Sequence, residues 1–364
     1  MRLYIIAGEA SGDLHGSNLV RELKKLNTNL EIRGWGGDLM QKEGVDLQKH
    51  YRDLAFMGFV EVLKNLRTIL RNLDLCKKDI LAFKPDAIVL VDYPGFNLRI
   101  AKWAKKQGIR VIYYIAPQVW AWHKSRVKQM RENIDKLLII LPFEVDFFAK
   151  YGLDAEFVGH PLLDAISGNT DPAYVSESGK PVIAILPGSR KQEIQTILPL
   201  QLSVIPRFPD YEFVIAGSEQ HRDLYAKIIG NSDVKIIFNK TYALLRSAKA
   251  ALVKSGTSTL ETALFEVPEV VCYKGNPISY IIAKKLVDIK YISLVNLIMD
   301  KPIVKELIQN DLTTDNLTIE LTKCLTSHRE TQLADYKLLR EKLGEIGERS
   351  PSLRAAKSIL EFLK

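Results

Sequence analysis

The residues best placed to do chemistry stand at the ends of apolar runs, and the first of them is a carboxylate. The run AIVLVD ends at Asp92, two residues before Pro94. A carboxylate at the carboxyl end of a parallel strand faces the ligand crevice, where it can act as a general base. An Asp followed by a Pro-Gly pair is also typical of a turn, so the residues alone leave both interpretations open.

A second candidate is the loop GEASGD, which follows the first apolar run of the chain. It matches neither G-x-x-x-x-G-K-[ST] nor G-x-G-x-x-G, the two common phosphate-loop patterns. Glu9 and Asp13 would repel a diphosphate. Glu9 and Ser11 can instead bond to hydroxyl groups, and Gly12 permits a close approach. We therefore predict that the loop binds a polyhydroxyl group or shapes the site; the alternative is a tight strand–helix turn capped by Ser11.

Two loops in the second half of the chain have the opposite character. In LPGSRK, Gly188 permits close approach, Ser189 can cap the next helix, and Arg190 offers a planar fork for phosphate oxygens. In KSGTSTLE, backbone N–H groups and hydroxyls precede a predicted helix whose Glu261 can bind a sugar hydroxyl. A surface arginine on a turn is the alternative for the first loop. The predicted sugar-nucleotide and diphosphate site consists of Gly188, Ser189, Arg190, Ser255, Gly256, Thr257 and Glu261.

The chain gives no sequence signal for a metal-bridged diphosphate. No D-x-D pair occurs, and the six His and three Cys residues show no metal-ligand spacing. We therefore expect no metal and no cofactor, with Arg190 and helix N-termini neutralising the leaving group.

Short apolar runs that alternate with amphipathic segments must position these loops. The runs are LYIIAG, AIVLVD, VIYYIAP, LLIIL and AEFVGHP, followed by VIAILPG, EFVIAG, VKIIF, AALVKSG and EVVCYKG. This alternation is typical of parallel sheets built from βαβ units. It predicts an α/β protein with two Rossmann-like domains facing a cleft. The predicted boundaries are 1–165 for the first domain, 166–181 for a linker, 182–335 for the second domain and 336–364 for a helical tail.

Composition excludes several classes of protein. The 364 residues are 47% hydrophobic and 26% charged, as in soluble globular proteins. No run approaches the roughly 20 apolar residues of a membrane-spanning helix. Glu9 and Asp13 interrupt the N-terminus where a signal peptide would be apolar. Because the three cysteines are few and odd in number, we predict reduced thiols and a cytoplasmic protein.

Two segments have the composition of surfaces for anionic or lipid partners. Between Arg99 and Arg131 nine Lys or Arg residues occur without an acid, which suits anionic lipid, a phosphorylated substrate or nucleic acid. A solvated helix face gives the same pattern. No nucleic-acid-binding motif accompanies it, so no nucleic acid is expected. Segment 56–75 is a candidate amphipathic helix with cations beside its apolar stripe, which favours either a membrane-interface helix or a crossover helix packed on the sheet.

Eight motifs, taken in order, resemble one enzyme family across nearly the whole chain. They are IIAGEASGDLHG, FMGFVEVL, PQVWAW, LPFE, FVGHP, LPGSR, SGTSTLE and YISLVNLI. This ordered set is similar to that of the lipid-A-disaccharide synthases. The resemblance implies a two-domain GT-B glycosyltransferase that transfers 2,3-diacylglucosamine from UDP to the 6-hydroxyl of 2,3-diacylglucosamine 1-phosphate. The implied products are the β-1,6-linked lipid A disaccharide 1-phosphate and UDP.

The resemblance also implies roles for individual residues. Asp92 matches the family's general base, while Arg190 and the 255–257 loop match its diphosphate-binding positions. Glu261 matches a position near the nucleotide, and Asn296 matches one at the donor site. The residues expected beside the acceptor are Glu9, Ser11, Gly12, Asn97, Gln118 and Trp120. The residues expected at the membrane and the acyl chains are Phe56, Met57, Phe59, Val60, Leu63, Lys64, Leu66, Arg67, Leu70 and Arg71.

The resemblance further implies peripheral association with the inner-membrane surface and a homodimer formed through the C-terminal half. Two positions depart from the family pattern. Gly95 stands where many relatives carry a second acid after the base, and Lys254 replaces a small residue before the SGT loop. Two other functions stay open: a UDP-sugar 2-epimerase on the same fold, and a non-catalytic nucleotide-sugar or lipid binder. An epimerase would not need the apolar, basic-flanked helix predicted over 56–75. A non-catalytic binder would not need the carboxylate of Asp92.

Overall fold

The protein forms two compact units, one containing Met1–Ala165 and Leu343–Lys364 and the other containing Ile166–Lys342. The computed structural model describes residues 1–54, 66–122, 125–230, 232–276, 280, 290–344 and 350–364. Each unit has a parallel sheet with helices on it, which confirms the predicted α/β class.

The segment 166–181, predicted as a linker, belongs to the second unit. Side chains of this segment are fixed by one carboxylate at the start of a strand. Tyr174, Ser176 and Ser178 all donate hydrogen bonds to Glu212. The hydrogen bonds explain why a polar, Gly- and Ser-containing stretch packs as part of a unit.

The predicted helical tail 336–364 is divided between the two units at Leu343. The part before Leu343 stays with the second unit. The last helix buries Ala355, Ala356 and Ile359 in the core of the first unit, so an apolar face draws the chain end back to that unit.

The described residues of the first unit form a seven-stranded sheet in the order β3-β2-β1-β4-β5-β6-β7. The strands are β1 Arg2–Ala7, β2 Glu31–Gly36, β3 Asp46–His50, β4 Ala87–Val91, β5 Arg110–Tyr114, β6 Lys136–Ile139 and β7 Glu156–Phe157. The chain leaves β1 and β4 toward opposite sides of the sheet, so the topological switch point lies between these two neighbours. Because Ala7 pairs with Val91, the loops that follow the two strands start side by side.

Helices cover both faces of this sheet. They are α1 Ala10–Leu26, α2 Asp38–Lys42, α3 Leu66–Phe83, α4 Pro94–Lys106, α5 Val119–Trp122, α6 Arg126–Asn133, α7 Glu144–Ala149, α8 Leu162–Ser167 and α16 Pro351–Leu363. One face buries residues of α3, α4 and α6, and the other buries residues of α1 and α16. The apolar runs predicted five of the seven strands, whereas EIRGWG (β2) and DLQKH (β3) contain too many charged residues and glycines for this signal.

The segment predicted as an amphipathic helix over 56–75 is described from Leu66, where α3 begins, and this helix continues to Phe83. Leu73, Cys76 and Ile80 of α3 pack into the core, as expected for a crossover helix. Leu70 is 53% exposed while Leu73 is buried, so the apolar residues in the described part of this segment do not all pack against the core. The predicted membrane contacts that lie outside the described residues are Phe56, Met57, Phe59, Val60, Leu63, Lys64 and the side chain of Leu66.

The second unit repeats the same strand order, β10-β9-β8-β11-β12-β13. Its strands are β8 Val182–Leu186, β9 Glu212–Gly217, β10 Lys235–Phe238, β11 Ala248–Lys254, β12 Glu269–Tyr273 and β13 Lys305–Ile308. Its helices within the described residues are α9 Lys191–Leu202, α10 Arg222–Ile229, α11 Thr241–Ser247, α12 Thr257–Leu264, α13 Leu294–Met299, α14 Thr314–Leu325 and α15 Arg329–Lys342. The switch point here lies between β8 and β11, whose Leu186 and Val253 are paired.

Within the described ranges, no helix combines the length and the apolar character that crossing a bilayer requires.

Candidate active site

Asp92 follows β4 directly and stands in an unusual backbone conformation. Both Asp92 and Tyr93 have positive φ angles, 46° and 49°, in the left-handed region that L-residues disfavour. The Asp92 carbonyl accepts hydrogen bonds from the Tyr113 hydroxyl at 2.6 Å and from the Asn97 amide at 2.7 Å. The Asp92 N–H donates to the Tyr114 carbonyl at 3.0 Å. Conformations of this kind cost about 1–3 kcal/mol each and persist only where several contacts enforce them.

The ring of Tyr93 lies against Gly8, the glycine that follows β1. A Cβ atom added at Gly8 would stand 2.2 Å from the Tyr93 ring, which no real contact permits. The other side of the turn is supported by Phe96, whose ring stacks on that of Tyr93 at a centroid distance of 5.7 Å. The first glycine of the GEASGD loop therefore serves the Asp92 turn, and the sequence alone did not indicate this.

The environment of Asp92 suits a base that works near neutral pH. Burial, and after it the nearby Glu9 carboxylate, raise the pKa of Asp92 to about 6, against one lowering bond from the Tyr93 N–H. At neutral pH the carboxylate is thus mostly ionised, yet it is more basic than an ordinary Asp. This combination favours proton abstraction from a hydroxyl.

The GEASGD loop differs in detail from its prediction. Helix α1 begins at Ala10, so Ser11 lies inside its first turn, exposed to solvent, and does not cap it. Gly12 is buried, and a Cβ there would stand 3.3 Å from the Ala7 side chain, so the glycine allows α1 to pack on β1. Asp13 accepts hydrogen bonds from three backbone N–H groups at the start of α2. Its charge is therefore used within the fold.

Three other residues predicted beside the acceptor differ in their exposure and in their hydrogen bonds. Gln118 is exposed. Asn97 is fully buried and its amide is engaged by backbone carbonyls, so it supports the Asp92 turn and cannot reach a ligand. Trp120 is 9% exposed, and its indole N–H donates to Glu144 at 3.1 Å. Burial raises the pKa of Glu144 to about 8, which makes this a buried structural pair.

In the second unit, the loop after β8 has the backbone that its sequence predicts. Gly188 has a φ of 103°, and a Cβ there would stand 2.5 Å from a Glu193 carboxylate oxygen. Arg190, and not Ser189, is the N-cap of α9, and its N–H donates to Glu193 at 3.3 Å. The side chain of Arg190 is 76% exposed, so its guanidinium is available to an anion.

The loop after β11 is joined to this loop by an ion pair. Lys254, the last residue of β11, contacts Glu193 at 2.8 Å, and Arg190 approaches the same carboxylate at 3.8 Å. Glu193 therefore ties the two candidate phosphate loops together. Lys254, which departs from the family pattern, therefore does not simply point to solvent but forms an ion pair within the fold.

Within the loop itself, Ser255 departs from its predicted role. It is buried, its hydroxyl donates to the Ile292 carbonyl at 2.9 Å, and its N–H donates to the Cys272 carbonyl. Gly256 is the N-cap of α12 and Thr257 is exposed, so the N–H groups of the first turn are the donors left for an anion.

Glu261 and Asn296, the acid and the amide predicted near the nucleotide, have different surroundings. Glu261 accepts a hydrogen bond from the Tyr242 hydroxyl at 2.8 Å, and burial raises its pKa. Asn296 is 1% exposed, and its amide bonds to Val304 and to Glu306. Asn296 therefore fixes β13 to α13, and its place at the donor site stays a prediction.

The basic stretch and a possible metal site are the remaining candidates for ligand binding. In the basic stretch, Lys105 pairs with Asp135 while Arg99 and Arg131 donate to backbone carbonyls, as on a solvated helix face. Among the described residues, no three His, Cys, Asp or Glu side chains are grouped as a metal site would require.

Sequence reasoning overlooked the supporting residues Gly8, Tyr93, Tyr113 and Glu193. Tyr113 sits in the apolar run VIYYIAP, where nothing distinguishes its hydroxyl from those of buried core tyrosines. Glu193 had a usable signal, because an acid three residues after a helix N-cap commonly bonds back to it.

Comparison with known proteins gives one consistent family. A family model described as lipid-A-disaccharide synthetase matches residues 3–359 of the chain. The lipid-A-disaccharide synthase of Geobacter sulfurreducens is 36% identical, over 100% of this chain and 97% of its own length. That of Coxiella burnetii is 34% identical, over 96% and 93% respectively.

Solved structures with a similar fold are more distant in sequence. A glycosyltransferase of kitacinnamycin superposes with a TM-score of 0.68 at 15% identity, covering 100% of this chain and 99% of the other. The UDP-GlcNAc 2-epimerase of Neisseria meningitidis, bound to UDP-GlcNAc, gives a TM-score of 0.64 at 15% identity with the same coverage. These similarities show the fold, which glycosyltransferases and epimerases share.

Proposed function

The chain belongs to the lipid-A-disaccharide synthase family, and on this premise we propose how it forms the disaccharide. The substrates are UDP-2,3-diacylglucosamine and 2,3-diacylglucosamine 1-phosphate. The products are the β-1,6-linked disaccharide 1-phosphate and UDP. The observation that carries this assignment is Asp92, a carboxylate with a pKa of about 6 that is held in a left-handed turn at the switch point of the first sheet.

In the proposed step, Asp92 accepts the proton of the acceptor 6-hydroxyl. The hydroxyl oxygen forms a bond to the anomeric carbon of the donor while the bond from that carbon to the UDP oxygen breaks. UDP leaves with the electron pair, and one in-line displacement inverts the anomeric centre to give the β-linkage. Glu9 supports the step because its charge, added to burial, makes Asp92 a stronger base.

The second unit is proposed to hold the UDP group. The exposed Arg190 guanidinium supports this role, since its planar fork matches phosphate oxygens. The N-terminal turn of α12 at Thr257 adds backbone donors and a favourable dipole. We propose that these groups neutralise the leaving diphosphate without a metal ion; activity that survives dialysis against EDTA is the expected result.

Peripheral membrane association is part of the proposal, because both substrates carry acyl chains. In the described part of α3, the exposed Leu70 lies among the exposed cations Arg67 and Arg71, a composition suited to an anionic lipid surface. Co-sedimentation with anionic vesicles, and loss of it in a Leu70→Ser, Arg71→Ser variant, is the expected outcome. A homodimer remains a prediction that sedimentation velocity can test.

The experiment for the reaction itself compares two Asp→Asn variants on opposite ends of β4. Wild-type protein is mixed with both substrates in detergent micelles, and disaccharide is followed by mass spectrometry. Asp92→Asn is expected to lower kcat by about 10²- to 10⁴-fold, the usual contribution of a general base. Asp86→Asn is the matched control, because Asp86 is exposed and bonds to the Arg2 N–H at the other end of the strand.

Each outcome of this experiment decides something. Disaccharide from wild type and from Asp86→Asn, with little from a folded Asp92→Asn, supports both the reaction and the base. Equal activity of all three removes Asp92 from its role. UDP-GlcNAc is supplied to the wild type in a separate reaction. If it is converted to its 2-epimer and no disaccharide forms in the main reaction, an epimerase function replaces the proposed transferase function; a UDP-GlcNAc 2-epimerase has a similar fold at 15% identity.

A further inference from the structure

The turn that carries Asp92 is more strongly constrained than a connecting turn requires. Glycine occupies positive-φ positions at little cost, yet two successive positions here hold Asp and Tyr. Elsewhere in the same unit, positive φ angles occur singly, at glycines such as Gly108 and Gly152 and at Lys84 and Ile115, and among the described residues two successive positions are affected only here. A strained pair of non-glycine residues indicates that the side chains matter more at these positions than relaxed backbone does.

The constraint acts on a single atom, the carbonyl oxygen of Asp92. The hydroxyl of Tyr113 and the amide of Asn97 both donate to it, at 2.6 and 2.7 Å. Both donors are rigid, since Tyr113 and Asn97 are fully buried. The Asn97 amide also lies 3.2 Å from the Val91 carbonyl, so it joins the end of the strand to the turn.

The carbonyl and the carboxylate belong to the same residue, so fixing one direction restricts the other. Asp92 is tied to β5 through its N–H and to Tyr113 and Asn97 through its carbonyl. Rotation about χ1 is then the main freedom left to the carboxylate. Release of the carbonyl would let the turn relax toward φ < 0 and move the carboxylate away from its place beside Glu9.

We propose that Tyr113 and Asn97 are positioning residues that hold the Asp92 carbonyl, and thereby aim the Asp92 carboxylate at the acceptor hydroxyl. This inference rests on the proposed role of Asp92 as the base. It assigns a function to a tyrosine hydroxyl in the middle of the unit's core, at the carboxyl end of β5.

The structure offers a matched pair of variants to test it, Tyr113→Phe and Tyr114→Phe. The two tyrosines are adjacent on β5 and fully buried, but they belong to opposite faces of the sheet. The side chain of Tyr114 lies near Ser352, on the face away from the turn. Both variants lose one buried hydroxyl, and only Tyr113→Phe removes one of the two donors that hold the Asp92 carbonyl.

Tyr113→Phe is expected to lower kcat about 10- to 100-fold with the acceptor KM within about twofold, as for a reacting group displaced by about 1 Å. The apparent pKa of kcat/KM, about 6 for wild type, is expected to fall as the carboxylate moves toward solvent. A merely structural loss would change the amount of folded enzyme without moving this pKa. Tyr114→Phe is expected to keep the wild-type kcat and pH profile.

A second pair reaches the same turn without touching Tyr113, in case that variant does not fold. Gly8→Ala drives a methyl group into the Tyr93 ring, whereas Gly95→Ala places one in open space in the first turn of α4, directly after the Asp92 turn. Loss of kcat in Gly8→Ala, with Gly95→Ala unaffected, supports the inference.

If Tyr113→Phe has the same kinetics as Tyr114→Phe, or Gly8→Ala the same as Gly95→Ala, the positioning role is refuted while the proposed transferase function stands. A wild type that makes no disaccharide removes the proposed function instead.

Discussion

The two units use the same strand order but place opposite charges at their switch points. In the first unit the loops after β1 and β4 carry Glu9 and Asp92, and Glu9 raises the pKa of Asp92. In the second unit the loop after β8 carries Arg190 and β11 ends at Lys254, and these two cations share the Glu193 carboxylate. On the proposed roles, one topology supports proton removal in one unit and anion binding in the other, and the residues at the strand ends and in the loops after them make the difference.

The backbones of the two switch points differ as well. After β8 the second unit has a glycine, Gly188, at its positive φ, which is consistent with the close approach of backbone to an anion that we propose there. The first unit places Asp92 and Tyr93 in the left-handed region and holds them there by hydrogen bonds. At these two switch points, the disfavoured backbone carries the side chain that we propose as the base, and glycine stands where we propose that backbone approaches an anion.

Removing the exposed cation of the second switch point is the largest change expected among the tests that follow. Arg190→Ala is predicted to weaken UDP binding about 10- to 100-fold, because a charge-assisted hydrogen bond to an anion is lost. Arg190→Lys should recover only part of the affinity, since Lys lacks the planar fork. Isothermal titration with UDP measures all three proteins directly.

The control for Arg190 is Arg207→Ala, in the same unit, where Arg207 pairs with Asp315 at 2.7 Å on the surface. It should bind UDP as the wild type does. If Arg190→Ala also binds UDP normally, the second switch point is not the anion site and the division of chemistry between the two units is wrong.

Sequence reasoning predicted the parts of this comparison that depend on local pattern. The α/β class, the strand ends at Asp92 and Gly188, and the exposed Arg190 all follow from apolar runs and from the residues after them. Strands with charged sequences, such as β13 with KELI, did not give an apolar signal. They form because neighbouring strands provide the hydrogen bonds and the burial.

Side-chain burial was the part that local pattern could not give. Asn97, Trp120 and Asn296 stand in motifs beside candidate loops, yet each is buried and bonded within its unit. Polar residues near a site either face the ligand or support the residues that do, and the choice depends on packing between segments far apart in sequence. The bond from Tyr113 to Asp92 spans 21 residues and shows the same limit.

A smaller effect is expected from Lys254, the second cation at the switch point of the second unit. Lys254→Met leaves Glu193 without its lysine partner beside the diphosphate loops, so UDP affinity should fall roughly three- to tenfold. Adding Glu193→Gln to Lys254→Met should restore part of the affinity by removing the unpaired negative charge. Lys249→Met, at the exposed start of the same strand, is the control. A double variant no better than Lys254→Met would show that Glu193 supports the loops only by shape.

The smallest effect concerns the like charges of the first switch point. Because Asp92 must be ionised to accept a proton, kcat/KM should fall about tenfold for each unit of pH below its pKa of about 6. Glu9→Gln removes the repulsion from a second carboxylate, so the apparent pKa should fall, while burial keeps it above that of an ordinary Asp. Relative to its own plateau, the variant should be roughly two- to fivefold more active than wild type at pH 5. Normalising to the plateau separates this shift from any acceptor contact that Glu9 makes. The control is Glu22→Gln, on the helix α1 that follows Glu9 and beside Lys25, which should leave the profile unchanged. An unshifted profile in Glu9→Gln would mean that burial alone sets the basicity of Asp92, and that the acidic pair is not what distinguishes this switch point from the basic one.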